Sequence, residues 1–162
     1  MKQQLLVLIC LAAGMLTSCL DDDYNDRNAE DQLDIMEYME RKGLDLEYDP
    51  NSGIHYEIRA EGNPNRKPSA DSSLVTVNYE GRLLNDTVFV KGDSVKMDLR
   101  EQPIGFQLGV SSIGEGGEIM MILPSLVAYG SAEFVTDTPY SVTVPPYSVL
   151  VYEVELLKVE KE

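Results

Sequence analysis

A tyrosine at a loop corner and a proline pair further along the chain are the residues best placed to form a binding site. Ala128-Tyr129-Gly130 makes the corner, Val144-Pro145-Pro146 ends the following loop, and a long apolar strand runs over 148–159. A corner, a loop and a strand in this order form three sides of one apolar pocket. Burial in a core alone explains a tyrosine beside glycine poorly, so Tyr129 is a candidate functional residue.

The chain offers few groups for covalent or acid–base chemistry. His55 is the only histidine, and its alternation with Ile54 and Tyr56 predicts an outward-facing residue without a catalytic partner. The two cysteines, Cys10 and Cys19, form no metal-binding or nucleophile motif. A formal charge of -15 repels nucleic acid. We therefore predict no metal, no cofactor and no nucleic-acid partner.

The N-terminus has the pattern of an export signal. Lys2 precedes a short apolar run that is shorter than the roughly 20 residues needed to span a bilayer. The run ends in Leu16-Thr17-Ser18-Cys19, which resembles a bacterial lipobox, where cleavage before the cysteine is followed by its acylation. We predict a signal peptide over residues 1–18 and a lipid anchor at Cys19. An ordinary signal peptide with a chance cysteine is the alternative.

An acidic stretch follows the cysteine. Residues 19–28 include Leu20-Asp21-Asp22-Asp23, and like charges extend a linker, so we predict an acidic tether there. The second position is not Asp, unlike the inner-membrane retention signal of enterobacterial lipoproteins, and the acidic cluster resembles the surface-export signal of Bacteroidetes lipoproteins. These resemblances imply a cell-envelope lipoprotein of the outer membrane. They leave open whether it faces the periplasm or the exterior.

The remaining chain divides into a helical segment and a strand-rich domain. Leu33 and Met36, followed by Tyr38 with Met39, recur near a 3.6-residue period, and Gly43 is a helix stop. We therefore predict an N-terminal helical segment over 29–45. The domain over 46–162 alternates apolar and polar residues as strands do, and has no strand–helix–strand rhythm. This pattern predicts an α+β fold built on an antiparallel sheet. The predicted strands cover 54–58, 74–79, 118–123 and 148–159, with a short one through Phe106 and Leu108.

Three motifs resemble the FKBP-type peptidyl-prolyl isomerases over residues 53–159. They are Val75-Thr76-Val77-Asn78-Tyr79-Glu80-Gly81 with Phe89 ten residues after Tyr79, Pro103-Ile104-Gly105-Phe106-Gln107-Leu108-Gly109, and the C-terminal corner, loop and strand. The resemblance implies an enzyme that lowers the barrier to X–Pro rotation, which is roughly 18–20 kcal/mol uncatalysed. An apolar pocket that removes water from the amide favours the twisted transition state, so such an enzyme requires no cofactor.

The resemblance also implies which residues form the pocket. Three are catalytic, Tyr79, Phe89 and Tyr129, and three contact the substrate, Ile104, Val144 and Tyr152. Tyr129 matches the tyrosine whose hydroxyl donates to a substrate carbonyl. The implied partners are proline-containing polypeptides outside the cytoplasm, whose folding the protein would assist.

Three departures from the family pattern bear on activity. Val90 stands where the family usually has Asp, and the loop over 131–143 is longer than usual, with Phe134, Pro139 and Tyr140 able to fill the pocket. The third departure lies between Gly109 and Gly117, where the family inserts a helix of about three turns, often with a Trp at the pocket floor.

The short third segment predicts an FKBP-like sheet without its usual central helix. We expect the N-terminal helix to cover the uncovered face through Leu33 and Met36, because a bare apolar sheet would associate. Dimerisation through that face is the alternative. These departures leave three functions open: a prolyl isomerase of reduced activity, a non-catalytic FKBP-like lipoprotein that binds peptides or proteins, and a purely structural surface lipoprotein.

Overall fold

The computed structural model describes residues 18–69, 73–136 and 142–160, with side chains from Asp26 onward. Within these ranges the chain forms two α-helices and eight β-strands, joined by turns and two short 3-10 helices. In chain order the elements are α1 (Ser18–Lys42), β1 (Glu47–Tyr48), β2 (His55–Ala60), β3 (Leu74–Leu83), β4 (Val88–Asp98), a 3-10 turn (Leu99–Glu101), α2 (Ile104–Ser112), β5 (Gly117–Leu123), a 3-10 turn (Ser125–Val127), β6 (Phe134–Val135), β7 (Thr143–Val144) and β8 (Leu150–Val159).

Six strands form one antiparallel sheet in the order β1-β2-β5-β8-β3-β4, and β6 pairs with β7 in a separate ribbon. The central strands are β5, β8 and β3, and Tyr152 of β8 lies between Met121 of β5 and Gly81 of β3. The predicted α+β class and antiparallel sheet are therefore confirmed. Strand β3 extends beyond its predicted end to Leu83, and β4, the longest strand, was not predicted.

The central strands bury apolar side chains on both faces of the sheet. Because successive residues of a strand point to opposite sides, Met121 and Tyr152 pack in one core, whereas Ile122 and Val151 pack in another. Each of these four side chains is almost fully buried. Both faces of the sheet must therefore be covered.

Helix α2 covers the first of these faces. Its buried residues include Phe106 and Val110, and Ile113 just beyond its end is also buried; this i, i+4, i+7 spacing matches one helical stripe. The predictions of a strand through Phe106 and of a missing central helix are therefore wrong. The helix begins at Ile104, directly after Pro103. Most of it therefore lies before the segment between Gly109 and Gly117, where the family pattern predicts it.

Helix α1 covers the opposite face, not the one covered by α2. Ile35 and Tyr38 are buried against Met120, Ile122, Val149 and Val151. Leu33 and Met36, which were expected to make this contact, are 64% and 52% exposed, so this part of the predicted stripe is wrong. Tyr38, from the same predicted stripe, does make the contact. The helix begins at Ser18, and it therefore includes residues predicted as an extended tether. Among the described residues, no helix combines the length and apolar character that crossing a membrane requires.

His55 is held beneath α1. It is only 8% exposed, which corrects the prediction of an outward-facing side chain. Its Nε2 lies 2.8 Å from Oε1 of Gln32, whose Nε2 donates to the carbonyl of Gly53 at 2.9 Å. Since an amide oxygen only accepts, Nε2 of His55 carries the proton. The buried Nδ1 has no hydrogen-bond partner among the described residues, and burial lowers the pKa of His55 from its ordinary 6.5.

Substitution of Ile35 and Leu33 by alanine tests how α1 packs. Ile35→Ala removes a fully buried side chain, so we expect the free energy of unfolding to fall by about 2–5 kcal/mol. Leu33→Ala, the matched change on the exposed side of the same helix, should alter it by less than about 0.5 kcal/mol. Urea titrations of both variants measure the difference. Equal losses would contradict the observed orientation of the helix.

Replacing His55 tests the pH dependence of stability. Because the folded protein binds the His55 proton less readily than the unfolded chain, stability should be highest above pH 6.5 and fall as the pH drops below it. His55→Gln cannot titrate, so the loss of unfolding free energy between pH 7.5 and 5.5 should be smaller than in the wild type. The carboxylates titrate alike in both proteins and cancel in the comparison. An identical loss would show that His55 does not carry this dependence.

Candidate functional site

Four aromatic rings meet on the α2 side of the sheet and are here called the aromatic cluster: Tyr79, Phe89, Phe106 and Tyr152. The ring of Tyr152 packs edge-to-face on Phe106, with centroids 5.0 Å apart, and on Phe89 at 5.7 Å. Tyr79 meets Phe106 at 6.3 Å, also edge-to-face. These arrangements are favourable for aromatic quadrupoles. Strands β3, β4 and β8 and helix α2 each contribute one ring.

Gly81 makes room for two of these rings. A Cβ at this position would lie 2.7 Å from Phe89 Cζ and 2.8 Å from Tyr152 Cε1. The pairing of β3 with β4 shifts here, from Gly81 opposite Val90 to Arg82 opposite Val88, so Phe89 is an extra residue in a bulge. The bulge allows the adjacent Phe89 and Val90 both to pack against the α2-side core. Val90 therefore adds apolar surface where the resemblance predicts a carboxylate.

Phe106, which the sequence analysis placed only on a short predicted strand, is a candidate site residue. It is almost fully buried and contacts both Tyr79 and Tyr152, so it forms the floor of the cluster. Ile104, which was predicted to contact substrate, is 50% exposed on α2 and does not join the α2-side core. The contact of Ile104 with substrate stays a prediction, and Phe106 is added to the candidate site residues. The helical spacing of Phe106, Val110 and Ile113 is the sequence signal that would have identified this floor.

The Tyr129 corner lies beside the cluster. The 3-10 turn over Ser125–Val127 leads into it, and Gly130 adopts a φ of 58°, in the left-handed region that favours glycine. The ring of Tyr129 stacks on Phe134, with centroids 4.3 Å apart and an interplanar angle of 11°. Both rings pack against the α2-side core and remain partly exposed. The corner therefore presents an aromatic surface and a hydroxyl at the edge of the cluster.

The ribbon of β6 and β7 carries the loop that borders the site. Phe134 in β6 lies opposite Val144 in β7, and Val144 is fully buried in the α2-side core. Phe134 was one of three loop residues considered able to fill the pocket. Its ring stacks on Tyr129 at the edge of the aromatic cluster. Pro139 and Tyr140, also considered for that role, lie outside the described residues.

The tyrosine hydroxyls of the site are neutral donors at physiological pH. Burial raises the pKa of Tyr129 and Tyr79, and it raises the pKa of Tyr152 well above its ordinary value. A side-chain hydrogen bond from Tyr152 partly opposes the effect on Tyr129. Tyr152 is buried, whereas Tyr129 is partly exposed and within reach of a ligand.

The site is thus apolar, with the partly exposed Tyr79 and Tyr129 at its edge. Of the predicted residues, Tyr79, Phe89, Tyr129, Val144 and Tyr152 all belong to, or pack against, the α2-side core. Among the side chains that the structure describes, no group of three His, Cys, Asp or Glu is placed to hold a metal ion. Such a site can exclude water from an apolar group and donate one hydrogen bond to it.

Comparison with known proteins relates this site to one family. Residues 65–157, more than half of the chain, match the model of the FKBP-type peptidyl-prolyl cis-trans isomerase family. The chain is 29% identical over 145 residues to FkpA, an FKBP-type peptidyl-prolyl cis-trans isomerase of Escherichia coli K12, over 87% of this chain and 49% of that protein. A probable FkpA of Neisseria meningitidis serogroup B is 34% identical over 112 residues, 67% of this chain and 38% of that protein. The chain spans about half the length of these relatives or less.

Solved structures agree with the fold. The crystal structure of Escherichia coli FkpA superposes with a TM-score of 0.64 and 26% identity, over 99% of this chain and 71% of that one. A peptidyl-prolyl cis-trans isomerase from Pseudomonas syringae superposes with a TM-score of 0.65, over 85% of this chain and 96% of that one. At 21% identity the second likeness shows a common fold.

Proposed function

The chain belongs to the family of FKBP-type peptidyl-prolyl cis-trans isomerases, and we propose that it catalyses the isomerisation of X–Pro bonds in polypeptide substrates. The observation that carries the proposal is the accessible Tyr129 hydroxyl beside the closed aromatic cluster. The family supplies the reaction, and the geometry supplies an apolar surface and a donor where that reaction needs them.

Catalysis in this site rests on desolvation and orientation. The planar X–Pro amide is stabilised by charge separation, which water supports, and the twisted transition state is less polar. The proline ring would pack against the partly exposed edge of the site, at Tyr79 and Tyr129, where the surrounding apolar side chains exclude water. The Tyr129 hydroxyl would donate to a carbonyl of the bound peptide and hold it while the amide turns. A contact that is better in the twisted state than in the planar one lowers the barrier.

A second candidate function is binding without turnover. It is favoured by Val90, which packs against the core where the resemblance predicts a pocket carboxylate that contacts substrate or ligand. A site built of apolar rings and one hydroxyl could hold a proline segment without favouring its twisted form. The two functions differ only in the rate of isomerisation, because both require binding.

Substitution of Tyr129 by phenylalanine distinguishes these functions. If the hydroxyl orients the peptide, Tyr129→Phe should lower kcat/KM for an X–Pro peptide about tenfold, the value of one hydrogen bond. NMR exchange spectroscopy of the peptide measures the rate without a coupled protease. Tyr48→Phe removes a hydroxyl from an exposed tyrosine of β1 and should leave the rate unchanged.

The outcomes separate cleanly. A wild-type protein that binds the peptide and does not accelerate its exchange would establish the binding function and refute catalysis. Acceleration that survives Tyr129→Phe in full would retain catalysis and refute the role of the hydroxyl.

We further propose that the protein is a lipoprotein of the cell envelope, anchored through Cys19 to the outer membrane, and assists the folding of extracytoplasmic proteins. The support is the sequence Leu16-Thr17-Ser18-Cys19 after an apolar run, with acidic residues following. Two acyl chains or more would hold the protein at a bilayer stably, whereas one gives only marginal binding.

Substitution of Cys19 tests the anchor. In a Gram-negative host fed radioactive palmitate, the wild-type protein should be labelled and recovered with membranes, and Cys19→Ala should lose both properties. Cys10→Ala is the matched control, because Cys10 lies in the predicted signal, and it should behave as the wild type. Equal labelling of all three proteins, or of none, would contradict acylation at Cys19.

A further inference from the structure

Helix α1 places the carboxylate of Asp31 in the protein interior, beside the turn that leads to Tyr129. Asp31 is fully buried. Its Oδ2 accepts from the backbone N–H of Ser125 at 2.8 Å and from the Ser125 hydroxyl at 2.6 Å. Its Oδ1 accepts from the guanidinium of Arg27, through Nε at 3.0 Å and through Nη2. A buried carboxylate is costly unless it is paired in this way.

Ser125 begins the turn that ends at the Tyr129 corner. The N–H of Ser125 donates to Asp31. Because this N–H lies at the start of a helical turn, it has no acceptor within the turn. The carbonyl of Ser125 accepts from the N–H of Ala128 at 3.0 Å and of Gly130 at 2.8 Å. Tyr129 therefore lies between two residues whose amides are both fixed to Ser125, and Ser125 is itself fixed to Asp31.

Arg27 extends the contact to the other side of the corner. Its guanidinium lies 5.5 Å from the ring centroid of Tyr147, within the range of a cation–π interaction. The N–H of Tyr147 donates to the carbonyl of Gly130 at 2.7 Å. The Asp31–Arg27 pair thus connects the turn before Tyr129 to the segment that follows the Pro-Pro pair. Helix α1 therefore contacts the chain on both sides of the Tyr129 corner, at Ser125 and at Tyr147.

This polar contact is separate from the apolar contacts by which α1 covers the sheet. The cover is apolar and uses Ile35 and Tyr38, which lie on the side of the sheet opposite the aromatic cluster. A buried ion pair adds little to stability compared with apolar residues of similar size. Moreover, α1 lies outside residues 65–157, the part of the chain that matches the family model. Asp31 therefore lies outside the part of the chain that matches the family model, and its carboxylate contacts the turn before Tyr129.

We propose that Asp31 is a positioning residue for Tyr129, so that helix α1 sets the geometry of the isomerase site through Ser125. The proposal rests on the proposed isomerase function. Asp31 does not touch the substrate. It acts by holding the turn in the one conformation that presents the Tyr129 hydroxyl at the edge of the aromatic cluster. Misplacement of a reacting group by about 1 Å can reduce the rate on the order of a hundredfold, so a small release of the turn is sufficient to matter.

The kinetic test compares Asp31→Ala and Ser125→Ala with the wild type, at a temperature where all are folded. Asp31→Ala should lower kcat about tenfold with little change in KM, because the lost orientation acts mainly in the transition state. Ser125→Ala keeps the backbone N–H and should lose about threefold. Asp34→Asn neutralises an exposed aspartate of the same helix and should leave both constants unchanged.

A double variant separates positioning from general damage. If Asp31 acts through Tyr129, then Asp31→Ala should cause almost no further loss of kcat in a Tyr129→Phe background. A merely structural residue would lower kcat by the same factor in both backgrounds. That result would overturn the proposal. If Asp31→Ala does not fold, Ser125→Ala combined with Tyr129→Phe provides the same comparison.

Hydrogen exchange tests the proposal independently of activity. In Asp31→Ala, the amides of Ala128 and Gly130 should exchange on the order of tenfold faster, while those of Ile122 and Val151 in the sheet keep their rates. Unchanged exchange at Ala128 and Gly130 would refute the positioning role. A wild-type protein without isomerase activity would refute the proposed function instead, and the exchange rates would still show whether Asp31 orders the corner.

Discussion

The apolar character of both faces of the central strands is the constraint on which the rest of the structure depends. Since β5 and β8 bury side chains on each side, the sheet is stable in water only if both faces are covered. Helix α2 and the loops around it cover one face, and α1 covers the other. The candidate site forms on the face covered by α2, because this helix packs Phe106 against Tyr152. Tyr79 of β3 and Phe89 of β4 lie on the same face and complete the aromatic cluster.

Close approach of the backbone then determines how well these rings can pack. Gly81 is in contact with two of them, and any side chain there would displace one. Gly109 has a similar role under α2, since a Cβ would lie 2.2 Å from the sulfur of Met121. Helix α2 therefore lies close to the sheet, and its Phe106 can contact the other rings of the aromatic cluster. The shape of the pocket depends as much on where side chains are absent as on which aromatic residues are present.

Much of the sheet could be predicted from the sequence, and the helices much less. Alternation identifies β2, β3, β5 and β8, because a period of two is unambiguous over strands such as β8. It does not identify β4, because the pairing of β4 with β3 shifts at two bulges that interrupt the period. The short helix α2 was mistaken for a strand because Phe106 and Leu108 also fit that period over three residues. Part of the α1 stripe was misassigned because Leu33 and Met36 fit a helical period as well as Ile35 and Tyr38 do; only the opposing surface selects between them. The burial of His55 depends on that same surface, so alternation in β2 could not reveal it.

The two covers of the sheet are not independent of each other. Apolar contacts between α1 and the sheet are non-directional and would tolerate small shifts of the helix, whereas the buried carboxylate of Asp31 requires its partners at fixed distances. The helix meets this requirement at the loop that carries Tyr129 and places its exposed Leu33 and Met36 toward solvent. A directional contact of α1 is thus made with the loop that carries Tyr129, the donor of the proposed isomerase site. A helix outside residues 65–157 can in this way affect the geometry of a candidate site on the other face of the sheet.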